Sequence, residues 1–170
     1  MPLRTAESSP GIVRKFLMPK ILRLKPTSWF LSALVIAVGL QFVLPIPNLY
    51  QPGVTAYVVG ALLIASGVFV NLWTDRIFKR ENVDVLPTSP TDRKLITYGP
   101  FRLTRNPMYL GMSAILFGVA IALASLPPFL LAVAFAVLMD LSYIRHEEAK
   151  LAAQYGDQFA AYRKRTRRWL

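Results

Sequence analysis

The sequence has no cysteine and only one histidine among 170 residues. This excludes disulfides, thiolate metal sites and a cysteine nucleophile, and it leaves almost no ligands for a structural zinc. Charge is scarce too: 17% of residues are Asp, Glu, Lys or Arg, against roughly a quarter in soluble domains. Acids are the scarcest, nine against 20 Lys and Arg. No internal repeat and no alternating strand pattern is present, so the expected fold is all-α. The first apolar run follows a long polar region and lacks a small-residue cleavage site, so it does not read as a secretory signal.

Long apolar runs stand where charge is missing. Ser28–Leu44, Val54–Trp73, Pro107–Ser125 and Pro127–Ile144 contain 17, 20, 19 and 18 residues, close to the roughly 17–25 needed to cross a bilayer as a helix. Asp140 is the only residue in them with a formal charge. The expectation is a single-domain, polytopic membrane protein spanning 1–170, with about four transmembrane helices. Segment 1–27 would be cytoplasmic or interfacial, 28–73 would hold the first two crossings, and 98–170 a C-terminal hairpin and terminal segment. Basic residues number six in 1–27, seven in 74–106 and seven in 145–170, with none in Pro45–Gly53. Such a bias places both termini and the middle loop in the cytoplasm, as in a bacterial inner membrane. The net charge of +11 therefore follows membrane boundaries, and a nucleic-acid partner is not expected.

Residues 1–10 read as a leader, and Ile12–Lys25 either as an interfacial amphipathic element or as a charged flank. Gly60, Ala61, Ala65, Ser66 and Gly67 give the second crossing a small-residue surface for close helix contact. The corner "SLPP" is too short for anything but adjacent antiparallel helices. The fourth helix is expected to continue to about Tyr155, with Gly156 as its cap and Asp157 opening a short cytoplasmic helix. Tyr155, Phe159 and Tyr162 would share one side of that last helix.

Two places carry candidate chemistry. In "YGPFRLTRNPMYLGM", Asn106 is expected to cap the third helix and Pro107 to open it. The helix N-terminus, with Arg102 and Arg105 beside it, would suit a carboxylate or phosphate, although the same arginines also suit snorkelling anchors. The second place is Arg145-His146-Glu147-Glu148, with Asp140 seven residues before Glu147 and so on nearly the same face of an α-helix. An acid inside a membrane helix is a site candidate, whereas Glu147 and Glu148 could equally be a solvated pair balanced by Arg145 and Lys150. Because the hairpin returns to the membrane face it left, the two places would be neighbours. Together they would suit a zwitterion, its carboxylate on the arginines and helix end, its cation near the glutamates.

"GPFRLTRNPMYLG" followed by "EEAKLAAQYGDQFAAYRKRTRRW" resembles the isoprenylcysteine carboxyl methyltransferase and phospholipid methyltransferase family of membrane enzymes. That family shows G-P-[FY]-R…R-[HN]-P-x-Y-x-G, then E-E-x-x-L…[FY]-G-x-x-[FY]-x-x-Y…R-W, and the match covers Tyr98–Trp169. The resemblance implies an S-adenosylmethionine-dependent methyltransferase that binds its cofactor at the cytoplasmic edge and takes a lipophilic or lipid-linked acceptor from the membrane. The family's cofactor contacts would fall on Arg105, Asn106, Pro107, Tyr109, Gly111, Glu147 and Glu148. Asn106 stands where many members have histidine, and Arg167 where many have proline. A carboxylate acceptor needs no base and could be oriented by Arg102 or Arg145, while an amine acceptor would need Glu148 or His146 to take its proton. The first motif is also similar to a run in the NADPH-dependent membrane sterol and steroid reductases, and a non-catalytic subunit of the same fold is a third reading.

Overall fold

A computed structural model describes residues 24–43, 47–83 and 94–170. The expected leader, nearly all of the Ile12–Lys25 element and part of the middle loop lie outside these residues. All regular structure among the described residues is helical. The first helix, α1, spans Pro26–Val43 and has proline at its first position, where the missing N–H goes unneeded. Helix α2 spans Val54–Arg80, about 40 Å at 1.5 Å per residue, longer than a hydrocarbon core is thick. Its far end is accordingly polar, with Lys79 and Asp75 paired at 2.6 Å one turn apart.

Helix α3, Pro107–Leu123, and helix α4, Leu126–Leu138, form the expected hairpin. Ala124 turns the corner in the left-handed region at φ 49°. From α4 the chain passes without a break through a π-helical turn, Met139–Ile144, into α5, Arg145–Arg165. Gly156, at φ 44° and ψ −115°, kinks α5 where a cap and a restart were expected. Pro26–Val43, Val54–Arg80 and Leu126–Arg165 are long and apolar enough to cross a membrane by length and composition, and Pro107–Leu123 is a shorter apolar helix. Large apolar side chains such as Val35, Phe42, Val54, Leu62 and Phe69 point outward, which suits lipid rather than water.

The small residues of α2 determine how it meets α3. A Cβ placed on Gly60 would lie 2.7 Å from the Gly118 carbonyl oxygen, and one on Gly118 would lie 2.6 Å from that of Gly60. One end lower, Gly67 and Gly111 face each other in the same way. Only glycine lets the two backbones come this close. Helix α1 packs on α4 instead, through an edge-on contact of Phe30 with Phe135. Tyr143 anchors it further, accepting from Trp29 Nε1 at 3.0 Å and donating to the Leu24 carbonyl at 2.7 Å.

Candidate active site

The segment before α3 forms a 3₁₀ turn, Gly99–Arg102. Gly99 has φ 62°, a conformation that calls for glycine, and a Cβ there would meet the terminal methyl of Ile77 at 2.7 Å. Beyond the turn, the chain is bound to the backbone of the C-terminal segment. Arg105 N–H donates to the Arg167 carbonyl at 2.9 Å. Thr104 Oγ1 and Asn106 Nδ2 donate to the Arg168 carbonyl at 2.9 and 3.0 Å. Asn106 is thus not a side-chain cap for α3 as expected: its amide is spent on the C-terminal strap, and its own N–H donates to Thr104 Oγ1.

Arg105 is not available for an anion either. Its guanidinium donates from Nε and Nη2 to Glu148 Oε1 at 3.1 and 2.8 Å, and from Nη1 to the Thr166 carbonyl at 2.5 Å. Arg168 grips the same carboxylate from the other side, Nη2 to Oε2 at 2.7 Å and Nε to Oε1 at 3.2 Å. Burial pushes the Glu148 carboxyl up, but the hydrogen bonds and charges of Arg168 and Arg105 outweigh this and hold it below the usual range. Arg168 reaches on to Asp140 at 3.4 Å, whose Oδ1 also accepts from Trp169 Nε1 at 3.1 Å. Two arginines and two carboxylates therefore tie the loop before α3, the π-turn, α5 and the C-terminal strap into one network.

The π-turn explains which glutamate joins it. On a continuous α-helix Asp140 would share a face with Glu147. The π-turn takes up one extra residue per turn, so the phase slips and Glu148 shares Arg168 with Asp140 instead. Arg145 likewise sits at π spacing from Asp140, 3.7 Å away, and its side chain is mostly exposed.

A cavity lies beside this network, between the start of α1, the end of α2, the 94–101 segment, the start of α3 and the middle of α5. Phe78, Phe101, Phe159 and Tyr162 form its aromatic side. Phe159 and Tyr162 are buried, with Tyr155 packed against them. Burial pushes the Tyr162 phenol up to about 12, and its hydroxyl donates to the Phe101 carbonyl at 2.7 Å. The polar side is Asn106, Tyr109 and Glu147, with the Tyr109 hydroxyl donating to Glu147 Oε1 at 2.7 Å.

Of the residues singled out in the sequence, Arg105, Asn106, Pro107, Tyr109, Glu147 and Glu148 all line this cavity. Three do not. Gly111 faces Gly67 and Asn71 on α2, where its role is helix contact. Arg102 is exposed at the end of the 3₁₀ turn, and Arg145 turns toward Asp140. His146 is also outside the cavity lining. Sequence reasoning missed the aromatic residues Phe78 and Phe101, and it assigned no role to Arg168. The closing Arg-Trp pair of the second motif was the signal for Arg168 and the aromatic position of the first motif the signal for Phe101, whereas Phe78 is joined to the site only by the fold. Among the described residues no cluster of His, Cys, Asp and Glu could hold a metal ion.

The cavity's chemistry suits an adenosyl cofactor. The aromatic side fits a purine ring, and Glu147 fits an ammonium or sulfonium. Met108, the first residue of α3 with a backbone N–H, lines the cavity, and no side chain caps that helix end, an arrangement that suits a carboxylate. A comparison with protein families matches residues 55–158, more than half of the chain, to phospholipid methyltransferase. A comparison with curated proteins finds no match.

Proposed function

The chain belongs to the phospholipid methyltransferase family of integral membrane methyltransferases, and we propose that it transfers a methyl group from S-adenosylmethionine to a lipophilic acceptor at the cytoplasmic face of the membrane. The observation that carries this reading is the cavity itself: an aromatic side and a Tyr109–Glu147 polar side, where the end of α2, the start of α3 and α5 meet. The basic flanks at that end support a cytoplasmic location. When bound, S-adenosylmethionine supplies an electrophilic methyl group, and S-adenosylhomocysteine is what remains.

The protein's own part is alignment and exclusion of water. Phe159 and Tyr162 cover the aromatic side because the Gly156 kink turns the end of α5 back over it. Glu147 and the Met108 amide at the start of α3 hold the polar end of the cofactor. Glu148 acts from behind: both its oxygens are taken by arginines, so it positions Arg105 and the strap and makes a poor proton acceptor. If the acceptor is an amine, the carboxylate placed to take its proton is Glu147; a carboxylate acceptor needs none.

Calorimetric titration of the purified protein with S-adenosylhomocysteine tests this. Binding is expected, and Glu147→Gln should weaken it by at least about tenfold, the worth of a charge-assisted hydrogen bond. Binding of NADPH with no response to the adenosyl ligand would support the reductase reading instead. Binding of neither would support a non-catalytic subunit.

A further inference from the structure

The charged groups lining the cavity are almost all engaged. Arg105 pairs with Glu148 at 2.8 Å, and Lys94 with Glu81 at 3.1 Å, while Glu147 accepts from Tyr109. Lys25 is different. It lines the cavity and is exposed, and its ammonium has no ion pair and no hydrogen bond among the described residues. Its backbone is nevertheless held in place. The preceding carbonyl, of Leu24, accepts from Tyr143 at 2.7 Å, and its own carbonyl accepts from Ser28 N–H at 2.9 Å. The ammonium is thus a fixed-base, free-ended cation at the rim, beside Thr27. It immediately precedes α1, and a lysine at the end of a membrane helix extends its ammonium toward the headgroup layer.

We propose that Lys25 is the specificity-determining residue that receives an anionic group, carboxylate or phosphate, on the lipophilic acceptor. The proposal rests on the reading of the cavity as a methyl-transfer site. An acceptor with its chain in lipid and its head in the cavity must pass the rim, where α1 begins. A lysine there meets the head with a compact charge that suits either anion. Glu147 is the carboxylate on the polar side of the same cavity, so a head with an anion and a cationic or reacting part could address both groups at once. A lysine that only anchored α1 to the headgroup layer would leave affinities within the cavity unchanged.

The test is a binding titration of the full chain in neutral detergent, followed by native mass spectrometry, with three amphiphiles of one chain length. Hexadecanoate carries the carboxylate, hexadecyl phosphate the phosphate, and hexadecyltrimethylammonium no anion. Lys25→Met should weaken the better-bound anionic amphiphile by about tenfold and leave the cationic one unchanged, and Lys25→Arg should restore most of the loss. Whichever anion binds tighter to the wild type identifies the headgroup chemistry. Equal weakening of all three amphiphiles, no weakening of the anionic ones, or preference of the wild type for the cation would overturn the proposal. S-adenosylhomocysteine affinity, measured on the same samples, separates the two readings. Its loss in the wild type contradicts the methyl-transfer site, whereas its persistence with indifferent anion binding contradicts only the role of Lys25.

Discussion

Glu148→Gln is the substitution that most sharply tests how the site is held together. The Glu148 and Arg105 side chains are 11% and 9% exposed, so their pair is nearly dry, whereas Arg168 is 32% exposed and partly screened. Removing one partner of a fully buried pair costs about 3–5 kcal/mol. Here the Arg168 half counts for less because it is solvated, and Arg168 keeps its contact with Asp140. A loss of about 2–3 kcal/mol follows, or about 5–10 °C in melting temperature for a chain of this size. The assay is thermal unfolding in detergent across pH. The native Glu148 carboxyl lies below its ordinary value, so its contribution is fully present above that value and is lost as pH falls through the native one. The wild type should therefore lose stability on acidification, and the variant should lack that limb. Limited proteolysis should also cut sooner at the basic C-terminal strap of the variant. An unchanged melting temperature and an unchanged acid limb would refute the role of Glu148 as the tie between loop, helix and strap.

Gly67→Ala or Gly118→Ala should destabilise the α2–α3 contact by about 1–3 kcal/mol, because the new methyl meets backbone rather than a yielding side chain; thermal unfolding reads it. Gly156→Ala meets nothing in space, so its effect is the backbone strain of φ 44° with ψ −115° alone, about 1–3 kcal/mol. Its readout is weaker S-adenosylhomocysteine binding, because the end of α5 must shift off the aromatic side. Tyr162→Phe should cost about 1 kcal/mol through the lost hydrogen bond to the Phe101 carbonyl. The wild-type Tyr162 contribution is present below the ordinary tyrosine value and lost as pH rises toward about 12, so the variant should show a flatter alkaline limb in the same unfolding assay.

Much of this architecture was legible in the chain because the signals are local. Four apolar runs stand out against scarce charge, Asn106-Pro107 marks the start of α3, "SLPP" allows only a hairpin, and Gly156 marks the break in α5. What was not legible depends on contacts between distant residues. Asn106 reads as a cap until Arg168, 62 residues later, takes its amide. Arg105 reads as an anion site until Glu148 takes its charge. Gly111 reads as a pocket wall because it follows Tyr109 in a motif, yet it sits on the opposite side of α3 and meets α2. The π-turn has no periodic signature in an apolar run, so the exchange of Glu147 for Glu148 beside Asp140 emerges only in three dimensions.

Methyl transfer itself is read from the protein in membranes supplied with methyl-labelled S-adenosylmethionine. Lipid extracts followed by mass spectrometry should show label in a lipophilic product, and Glu147→Gln should suppress it while the protein keeps its fold. Extracts without label, from protein that is folded and ignores S-adenosylhomocysteine, would contradict the account.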